Sequence, residues 1–351
     1  MNRGSREADK ERVKARMLKE LDRQVARAEA NGETRNSRIL HYASSQLLDH
    51  NNPYYFATIS RLRHMPVTID EFVQSPEFFG DQAEVWPALM SDLREMNPDI
   101  LAGERPVHEY LDAGATSTGK SFKATVTQAY QLYWLLCVNQ PQRLYKLTQA
   151  TPIVFMFQSV SERVTKRVLY EPFRNMFTSM PYTQRWLTYD RYKDSELVFP
   201  ENNVQVVPAL AVVQAMVGQA IMSGILDEVN FMSVVENSST VMGGRGLGGR
   251  YDQAEIAHTT ISRRRKSRFT SRGPVPGCLS VLSSTRYKGD FLDRRIEQVQ
   301  ENNEPGVRIY RRKQYEVQPP ERYSGETFRL LVGTDQYPTR ILEDDDEPGE
   351  S

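Results

Sequence analysis

One eight-residue stretch constrains this chain more than any other part of its sequence. It matches the pattern G-x-x-x-x-G-K-[ST] at every fixed position and reads Gly114-Ala115-Thr116-Ser117-Thr118-Gly119-Lys120-Ser121. An apolar run at 107–112 precedes it and a helical pattern follows it, so a strand, a turn and a helix are predicted in that order. A phosphate-binding loop needs both neighbours, whereas an ordinary glycine-rich turn needs neither.

Each residue type in this stretch has a role in phosphate chemistry. Glycines let backbone N–H groups curl around phosphate oxygens, and the start of the following helix adds its positive dipole end. Lys120 reaches the β- and γ-phosphates in this arrangement, and Ser121 binds magnesium. The stretch therefore predicts a P-loop site for ATP and Mg²⁺, with residues 114–121 in contact with the nucleotide.

The surrounding chain indicates an α/β fold. Short apolar runs alternate with helical patterns from about residue 107 to 300, which is typical of a parallel sheet built from strand-helix-strand units. The predicted strands are 107–112, 151–158, 203–208, 220–226 and 278–283. We predict a P-loop domain with a mainly parallel central sheet flanked by helices, a helical N-terminal region and a small β-containing C-terminal subdomain.

Composition shifts divide the chain into four predicted segments. A helical pattern over 5–30 lies in a charged extension, Pro and Asn punctuate the next region, and acidic residues crowd the far C-terminus. The segments are a charged helical extension at 1–37, a helical lead-in at 38–105, the P-loop ATPase core at 106–300, and a small β subdomain with an acidic tail or linker at 301–351.

Two carboxylates follow the predicted strand at 220–226. They are Asp227 and Glu228. In P-loop enzymes a carboxylate at a buried strand end supports the metal, and a carboxylate facing the γ-phosphate can polarise the attacking water as general base. We therefore predict that Asp227 supports Mg²⁺ and that Glu228 is the catalytic base. The alternative, for the pair taken alone, is a helix N-terminus or a solvated turn.

Two hydroxyl residues, Ser284 and Thr285, follow the predicted strand at 278–283. Side chains at the carboxyl ends of parallel strands lie where the ligand binds, so Thr285 is a candidate for sensing the γ-phosphate. The alternative is that these hydroxyls cap a helix that starts near Gly289.

Arginines are concentrated between these two strands. Arg245 and Arg250 lie in a glycine-rich segment, and further cations follow on a predicted helix at Arg263, Arg264, Arg265, Lys266 and Arg268. An arginine on a loop can complete a neighbouring subunit's site or contact the phosphates of a polynucleotide. Arg245 and Arg250 are therefore candidate catalytic arginines, and a solvated basic face is the alternative for this region.

The overall composition leaves the partner open but limits the compartment. The 45 basic residues balance the 45 acidic ones, so net charge neither proposes nor excludes a polyanion. Cys137 and Cys278 lie far apart in apolar stretches, which argues against a disulfide framework. The N-terminus is charged, and no apolar run reaches the roughly 18 residues of a membrane span, so a cytoplasmic protein is predicted.

Taken in order, these motifs resemble the N-terminal ATPase portion of the large terminase subunit of tailed phages. Segments outside the nucleotide motifs add to the resemblance, which extends from about residue 65 to 300. These segments are 68–73, 76–80 and 85–87 upstream, and 264–269, 276–277, 283–285 and 289–292 downstream.

The resemblance implies an ATP-hydrolysing motor that translocates double-stranded viral DNA into a procapsid. It implies phosphate and Mg²⁺ binding by Lys120 and Ser121, metal support by Asp227, catalysis by Glu228, and coupling of hydrolysis to motion by Thr285. It further implies a homo-oligomeric ring, a pentamer, on the portal protein of the procapsid, a terminase small subunit as partner, and a location in the host cytoplasm.

Two features depart from the terminase pattern. Many terminases have an arginine in the phosphate loop, where this chain has Thr116 and Ser117, so Arg245 or Arg250 would have to supply that charge. Most also continue into a nuclease domain, and no spaced set of catalytic carboxylates follows Gln300. Two other interpretations stay open, namely an ATP-dependent switch or assembly factor of the P-loop class, and a helicase-like translocase with a second lobe.

Overall fold

The computed structural model describes residues 3–50, 52–80, 82, 84–208, 219–242, 248–270, 277–326, 328–331, 333 and 338–342. Its helices are α1 (Arg3–Ala30), α2 (Thr34–Asp49), α3 (Tyr54–Ile59), α4 (Ile69–Gln74), α5 (Pro87–Met96), α6 (Lys120–Leu136), α7 (Glu162–Val164), α8 (Glu171–Ser179), α9 (Pro181–Trp186), α10 (Gln253–Arg265), α11 (Phe291–Asn302) and α12 (Gln314–Val317). Its strands are β1 (Glu109–Asp112), β2 (Ile153–Gln158), β3 (Leu197–Phe199), β4 (Val204–Pro208), β5 (Ala220–Leu226), β6 (Val234–Met242), β7 (Gly248–Asp252), β8 (Leu279–Leu282), β9 (Val307–Tyr310), β10 (Arg329–Leu331) and β11 (Arg340–Leu342).

Seven strands form a central sheet in the order β3-β4-β2-β5-β8-β1-β9. Every pairing in this sheet is parallel except that of β3 with β4. The strand β8 separates β1 from β5, so the carboxyl ends of these three strands are neighbours at one edge of the sheet. The five predicted strands are confirmed close to their predicted bounds, and so is the P-loop fold class.

Both faces of the sheet are covered, which explains why its strands are continuous apolar runs in the sequence. Side chains alternate along β2: Phe155 and Phe157 pack in the core that α6 covers, and Val154 and Met156 pack in the core that α10 and α11 cover. All residues of β1, β2, β5 and β8 are buried. The hydrophobic effect therefore fixes this sheet between two helical layers.

The N-terminal region is helical, as predicted. The helix predicted over 5–30 is α1, which packs against α2 around a small core of its own made of Leu21, Val25, Ala28, Leu40, Ala43 and Leu47. Arg35 of α2 connects this pair of helices to the following region. Its guanidinium donates to the Asp99 carboxylate at 2.8 Å and to the Pro66 carbonyl at 2.6 Å. The boundary predicted at residue 37 lies inside α2.

The segment after α11 contributes to the central sheet before it leaves the core. The strand β9 pairs in parallel with β1 along its whole length, although its residues were predicted to belong to a separate C-terminal subdomain. Beyond it, β10 and β11 form a two-stranded antiparallel ribbon. Within the described ranges, no helix combines the length and the apolar character that crossing a membrane requires.

Candidate nucleotide site

The loop between β1 and α6 has a shape that its two motif glycines make possible. Gly119 has a φ of 76°, in the left-handed region, and a Cβ there would lie 2.8 Å from Cδ2 of Leu89. A Cβ on Gly114 would lie 2.8 Å from Oγ1 of Thr118 and 3.0 Å from Oδ1 of Asp112. A side chain at either position would push the loop away from its neighbours.

The loop offers unpartnered backbone donors to a ligand. The N–H groups of residues 116, 117 and 119–121 have no backbone acceptor among the residues that the structure describes. They lie at the start of α6, a helix of 17 residues, whose N-terminus carries partial positive charge. Free N–H groups at a helix N-terminus fit the phosphates of a nucleotide.

Lys120 connects the loop to the end of β8. Its ammonium Nζ donates to the carbonyls of Gly114 at 2.8 Å and Ala115 at 2.9 Å, and to Oγ of Ser284 at 3.2 Å. Burial lowers the pKa of the Lys120 ammonium. The structure thus brings together the motif lysine and the predicted hydroxyl pair at the end of β8.

Two carboxylates end β5, as the sequence predicts. The residue Asp227 is 4% exposed, and its backbone N–H donates to the Gln158 carbonyl at 2.9 Å. Burial and the neighbouring charge of Glu228 raise the pKa of Asp227 to about 6. Glu228 has a left-handed φ of 52°, and its Oε2 accepts from Oγ of Ser283 at 3.4 Å. Because Asp227 is buried, the alternative of a solvated turn is wrong for it.

The end of β8 is also organised for a site. The side-chain amide of Asn230 donates to the Ser284 carbonyl at 3.0 Å. The N-cap of α11 is Asp290, whose Oδ1 accepts from the N–H of Asp293 at 3.0 Å. The alternative that Ser284 and Thr285 cap this helix is therefore wrong. Thr285 lines a cleft beside the loop, and its coupling role stays a prediction.

This cleft has a volume of about 510 Å³ and lies between the loop, the end of β8 and the segment after β9. Three consecutive cations from that segment line it: Arg311, Arg312 and Lys313. Their place at the site does not follow from the sequence, because only the pairing of β9 with β1 brings them to the loop. The available signal was a run of three consecutive cations at 311–313, directly after the alternating apolar and polar residues of 307–310.

The segment after β9 also holds the backbone of the loop in place. The Arg312 carbonyl accepts from the N–H of Ala115 at 3.0 Å. The side-chain amide of Gln314 donates to the Thr116 carbonyl at 2.8 Å. The loop is therefore fixed by a strand that lies far from it in the sequence.

A buried group of charges supports the loop from the side of α6. Lys123 is 0% exposed, and its Nζ lies 2.7 Å from the Asp92 carboxylate and 2.8 Å from the Asp112 carboxylate. The guanidinium of Arg312 also bonds Asp92, and Oδ1 of Asp112 accepts from the N–H of Gly114 at 3.1 Å. These contacts join α5, α6, β1 and the segment after β9 at the base of the loop.

The two predicted catalytic arginines, Arg245 and Arg250, have no described side-chain position, so neither can be placed at the site. Arg245 lies outside the described residues, and Arg250 lies in β7 with only its backbone described, so both roles stay predictions.

Arg265 is fully buried and donates to the Gly277 carbonyl at 3.1 Å. Since Gly277 precedes β8, this end of α10 lies at the sheet edge opposite the loop. A solvated basic face is therefore wrong for Arg265.

The predicted metal ligands provide the donor atoms that magnesium prefers. Ser121 is exposed in the first turn of α6 and offers a hydroxyl, and Asp227 offers a carboxylate at the end of β5. Hydroxyl and carboxylate oxygens are suitable ligands for Mg²⁺, which usually keeps several waters. The donor set fits Mg²⁺, and the individual roles of both residues stay predictions.

The fold and the loop geometry define a P-loop domain of the nucleotide-binding class. A protein-family comparison agrees with this class, because residues 59–331 match the family described as "Uncharacterized protein MJ0330, N-terminal P-loop domain". The match covers most of the chain, and the chain belongs to this family. No match was found among curated proteins.

Solved structures with a similar arrangement include three phage terminases. The large terminase of bacteriophage HK97 shares 16% identity at a TM-score of 0.44, over 69% of this chain and 43% of that one. The large terminase of a thermophilic bacteriophage shares 10% identity at 0.41, over 67% and 47%. The large terminase ATPase domain of a Thermus phage shares 10% at 0.45, over 74% and 90%. The chain spans less than half the length of the first two.

Proposed function

We propose that this chain binds ATP with Mg²⁺ and hydrolyses it. The observation that carries the proposal is the meeting of three parallel strand ends at one sheet edge. The phosphate loop follows β1, the hydroxyl pair follows β8, and Asp227 and Glu228 follow β5. Lys120 links the first two of these, because its Nζ lies 3.2 Å from Oγ of Ser284. These are the parts that phosphoryl transfer to water requires.

Each residue has a distinct task in this proposal. The free N–H groups of the loop bind phosphate oxygens. The ammonium of Lys120 leaves its present neutral partners and bonds phosphate oxygens instead. Ser121 and Asp227 hold the metal ion, which supplies positive charge next to the phosphates. Glu228 accepts a proton from the attacking water as general base. The partners that Lys120 leaves are two carbonyls and a hydroxyl, so no ion pair is broken.

We further propose that hydrolysis drives translocation of double-stranded viral DNA into a procapsid. This step rests on the resemblance of the sequence motifs to those of terminases. In this proposal Thr285 couples hydrolysis to motion, and Arg245 or Arg250 supplies a charge-stabilising arginine. The proposed partners are a terminase small subunit and the portal protein, with the chain acting in a homo-oligomeric ring, a pentamer, in the host cytoplasm.

The test measures ATP hydrolysis with and without long linear double-stranded DNA. Wild type is compared with Lys120→Ala, Glu228→Gln and, as a matched control, Glu255→Gln on the exposed face of α10. We expect Glu228→Gln to lower turnover by roughly 100-fold or more, since it removes the general base, and Glu255→Gln to leave turnover unchanged.

The effect of DNA separates the motor from its rivals. Turnover that DNA stimulates and that Glu228→Gln abolishes supports the packaging motor. Turnover that is indifferent to DNA favours the ATP-dependent switch. No turnover in wild type, with DNA present, overturns the enzyme proposal.

A further inference from the structure

The three cations after β9 have different surroundings although they are consecutive. Arg312 belongs to the scaffold, because its guanidinium bonds the buried Asp92. The ammonium of Lys313 lies 5.6 Å from the ring centre of Tyr315, within the same segment. Neither Lys313 nor Arg311 holds the loop, and of these two Arg311 is the one whose side chain bonds another residue of the cleft, Asp293.

Arg311 lies on the α11 side of the sheet. Tyr310, the preceding residue, is on the α6 side, where the Lys123 ammonium lies 4.6 Å from its ring centre. Arg311 directly follows the strand β9, and its side chain reaches the start of α11 instead. There its guanidinium lies 3.2 Å from Oδ1 of Asp293, and the Arg311 side chain is 56% exposed.

A carboxylate in the cleft would repel a polyphosphate bound on the loop. Asp293 lines the same cleft as the loop residues Gly114 and Ala115, so its negative charge faces the space beside the loop. The loop itself contains a single cation, Lys120. Arg311 is positioned to offset this carboxylate and to add positive charge to that of Lys120 in the loop.

We propose that Arg311 is a nucleotide-binding residue that leaves Asp293 and bonds phosphate oxygens of ATP held on the loop. The inference rests on the proposed function, since it assumes that the loop binds ATP. A partly exposed arginine-carboxylate pair such as this one contributes little to stability, whereas an arginine-phosphate contact is charge-assisted and often bidentate. The exchange of partners is therefore favourable, and Asp293 competes with the phosphates for Arg311.

The test is isothermal calorimetry of MgATPγS binding to the full chain, which needs no turnover. We expect Arg311→Gln to weaken binding by about tenfold or more, because a hydrogen bond between two charged groups is lost. We expect Asp293→Asn to tighten binding, because it removes both the competitor and the repulsion. An asparagine oxygen can still accept from the N–H of Gly289, which bonds Oδ2 of Asp293 at 3.0 Å.

The double variant Arg311→Gln/Asp293→Asn distinguishes contact from mere neutralisation. If Arg311 touches the phosphates, the double variant binds MgATPγS about tenfold or more weakly than Asp293→Asn alone. If the double variant binds as tightly as Asp293→Asn, Arg311 serves only to neutralise Asp293, and the inference is overturned. The matched control is Arg308→Gln, an exposed arginine of β9, which should leave binding unchanged.

Failure of the inference can be told apart from failure of the proposed function. Wild type that does not bind MgATPγS, or that binds it as tightly as Lys120→Ala does, contradicts the proposed nucleotide site. Wild type that binds, with Lys120→Ala impaired and Arg311→Gln unaffected, contradicts the role of Arg311 alone. Thermal unfolding of each free variant checks that the fold is retained.

Discussion

Asp227 has the clearest pH-dependent behaviour among the site residues. Its pKa in the folded chain is about 6, against an ordinary value of 3.8, because of burial and then the charge of Glu228. A carboxyl group with a raised pKa stabilises the fold when protonated. That contribution is complete below pH 3.8 and is lost as the pH rises to about 6, so at neutral pH the fold carries a buried charge.

Asp227→Asn should therefore stabilise the nucleotide-free protein at pH 7.5. A pKa raised from 3.8 to about 6 corresponds to about 3 kcal/mol, and we expect a gain of that order at most. The gain should shrink as the pH falls from 6 towards 4. Urea unfolding without Mg²⁺ at several pH values measures it, with Asp22→Asn on the exposed face of α1 as control. Equal stability of Asp227→Asn and wild type at pH 7.5 would contradict the prediction.

At this scale the sequence predicts residues whose neighbours are local. The placement of Lys120, Asp227 and Ser284 followed from the strand that each one ends or from the loop motif that contains it. Arg311 and Lys123 were missed, since their partners come from elements far away in the chain. No periodicity within α6 distinguishes a buried lysine that is paired with two carboxylates from an exposed one.

At the scale of elements, the buried charges around Lys123 connect the loop to its surroundings. The ammonium contacts Asp92 of α5 and Asp112 of β1, and all three side chains are 0% exposed. Arg312, after β9, shares the Asp92 carboxylate. A buried ion pair gives little net stability compared with apolar residues, but removal of one partner leaves an uncompensated charge. The buried charges therefore hold these elements together, and loss of any one charge leaves another without its full set of partners.

Lys123→Met should destabilise the protein by about 3–5 kcal/mol, because it leaves Asp112 buried without a cation and leaves Arg312 as the partner of Asp92. The matched control is Arg94→Gln, which breaks an exposed pair with Asp70 and should cost at most about 1 kcal/mol. Urea unfolding of the two variants gives the comparison. A cost for Lys123→Met no greater than that for Arg94→Gln would show that the network does not stabilise the fold.

Strands were predictable as elements where both of their faces are buried. The runs that became β2, β5 and β8 are apolar throughout, because helices cover the sheet on both sides. The residues of β9 were predicted to lie in a β-containing C-terminal subdomain, and the place of this strand beside β1 was not predicted, since its exposed Arg308 suits an edge strand of any sheet. Pairing is a long-range property that a strand's own sequence does not specify.

At the scale of the whole molecule, charge balance restricts how the proposed motor can hold DNA. The 45 basic and 45 acidic residues give no net attraction for a polyanion, so DNA contacts must come from local groups of cations. The basic end of α10 is one such group of cations. Arg265 in this group is buried and cannot reach DNA phosphates. Contacts of this kind bind the phosphate backbone and do not read bases.

The half-saturating DNA concentration for stimulated hydrolysis should therefore rise steeply with KCl. Each phosphate contact contributes a slope of about 0.9 in the logarithmic dependence on salt, because binding releases counterions. The slope should be the same for two linear duplexes of unrelated sequence, since the protein contacts the phosphates and not the bases of either duplex. Hydrolysis without DNA, measured over the same KCl range, is the control. A half-saturation that differs strongly between the two sequences, or that is independent of salt, would contradict a motor that tracks the DNA backbone.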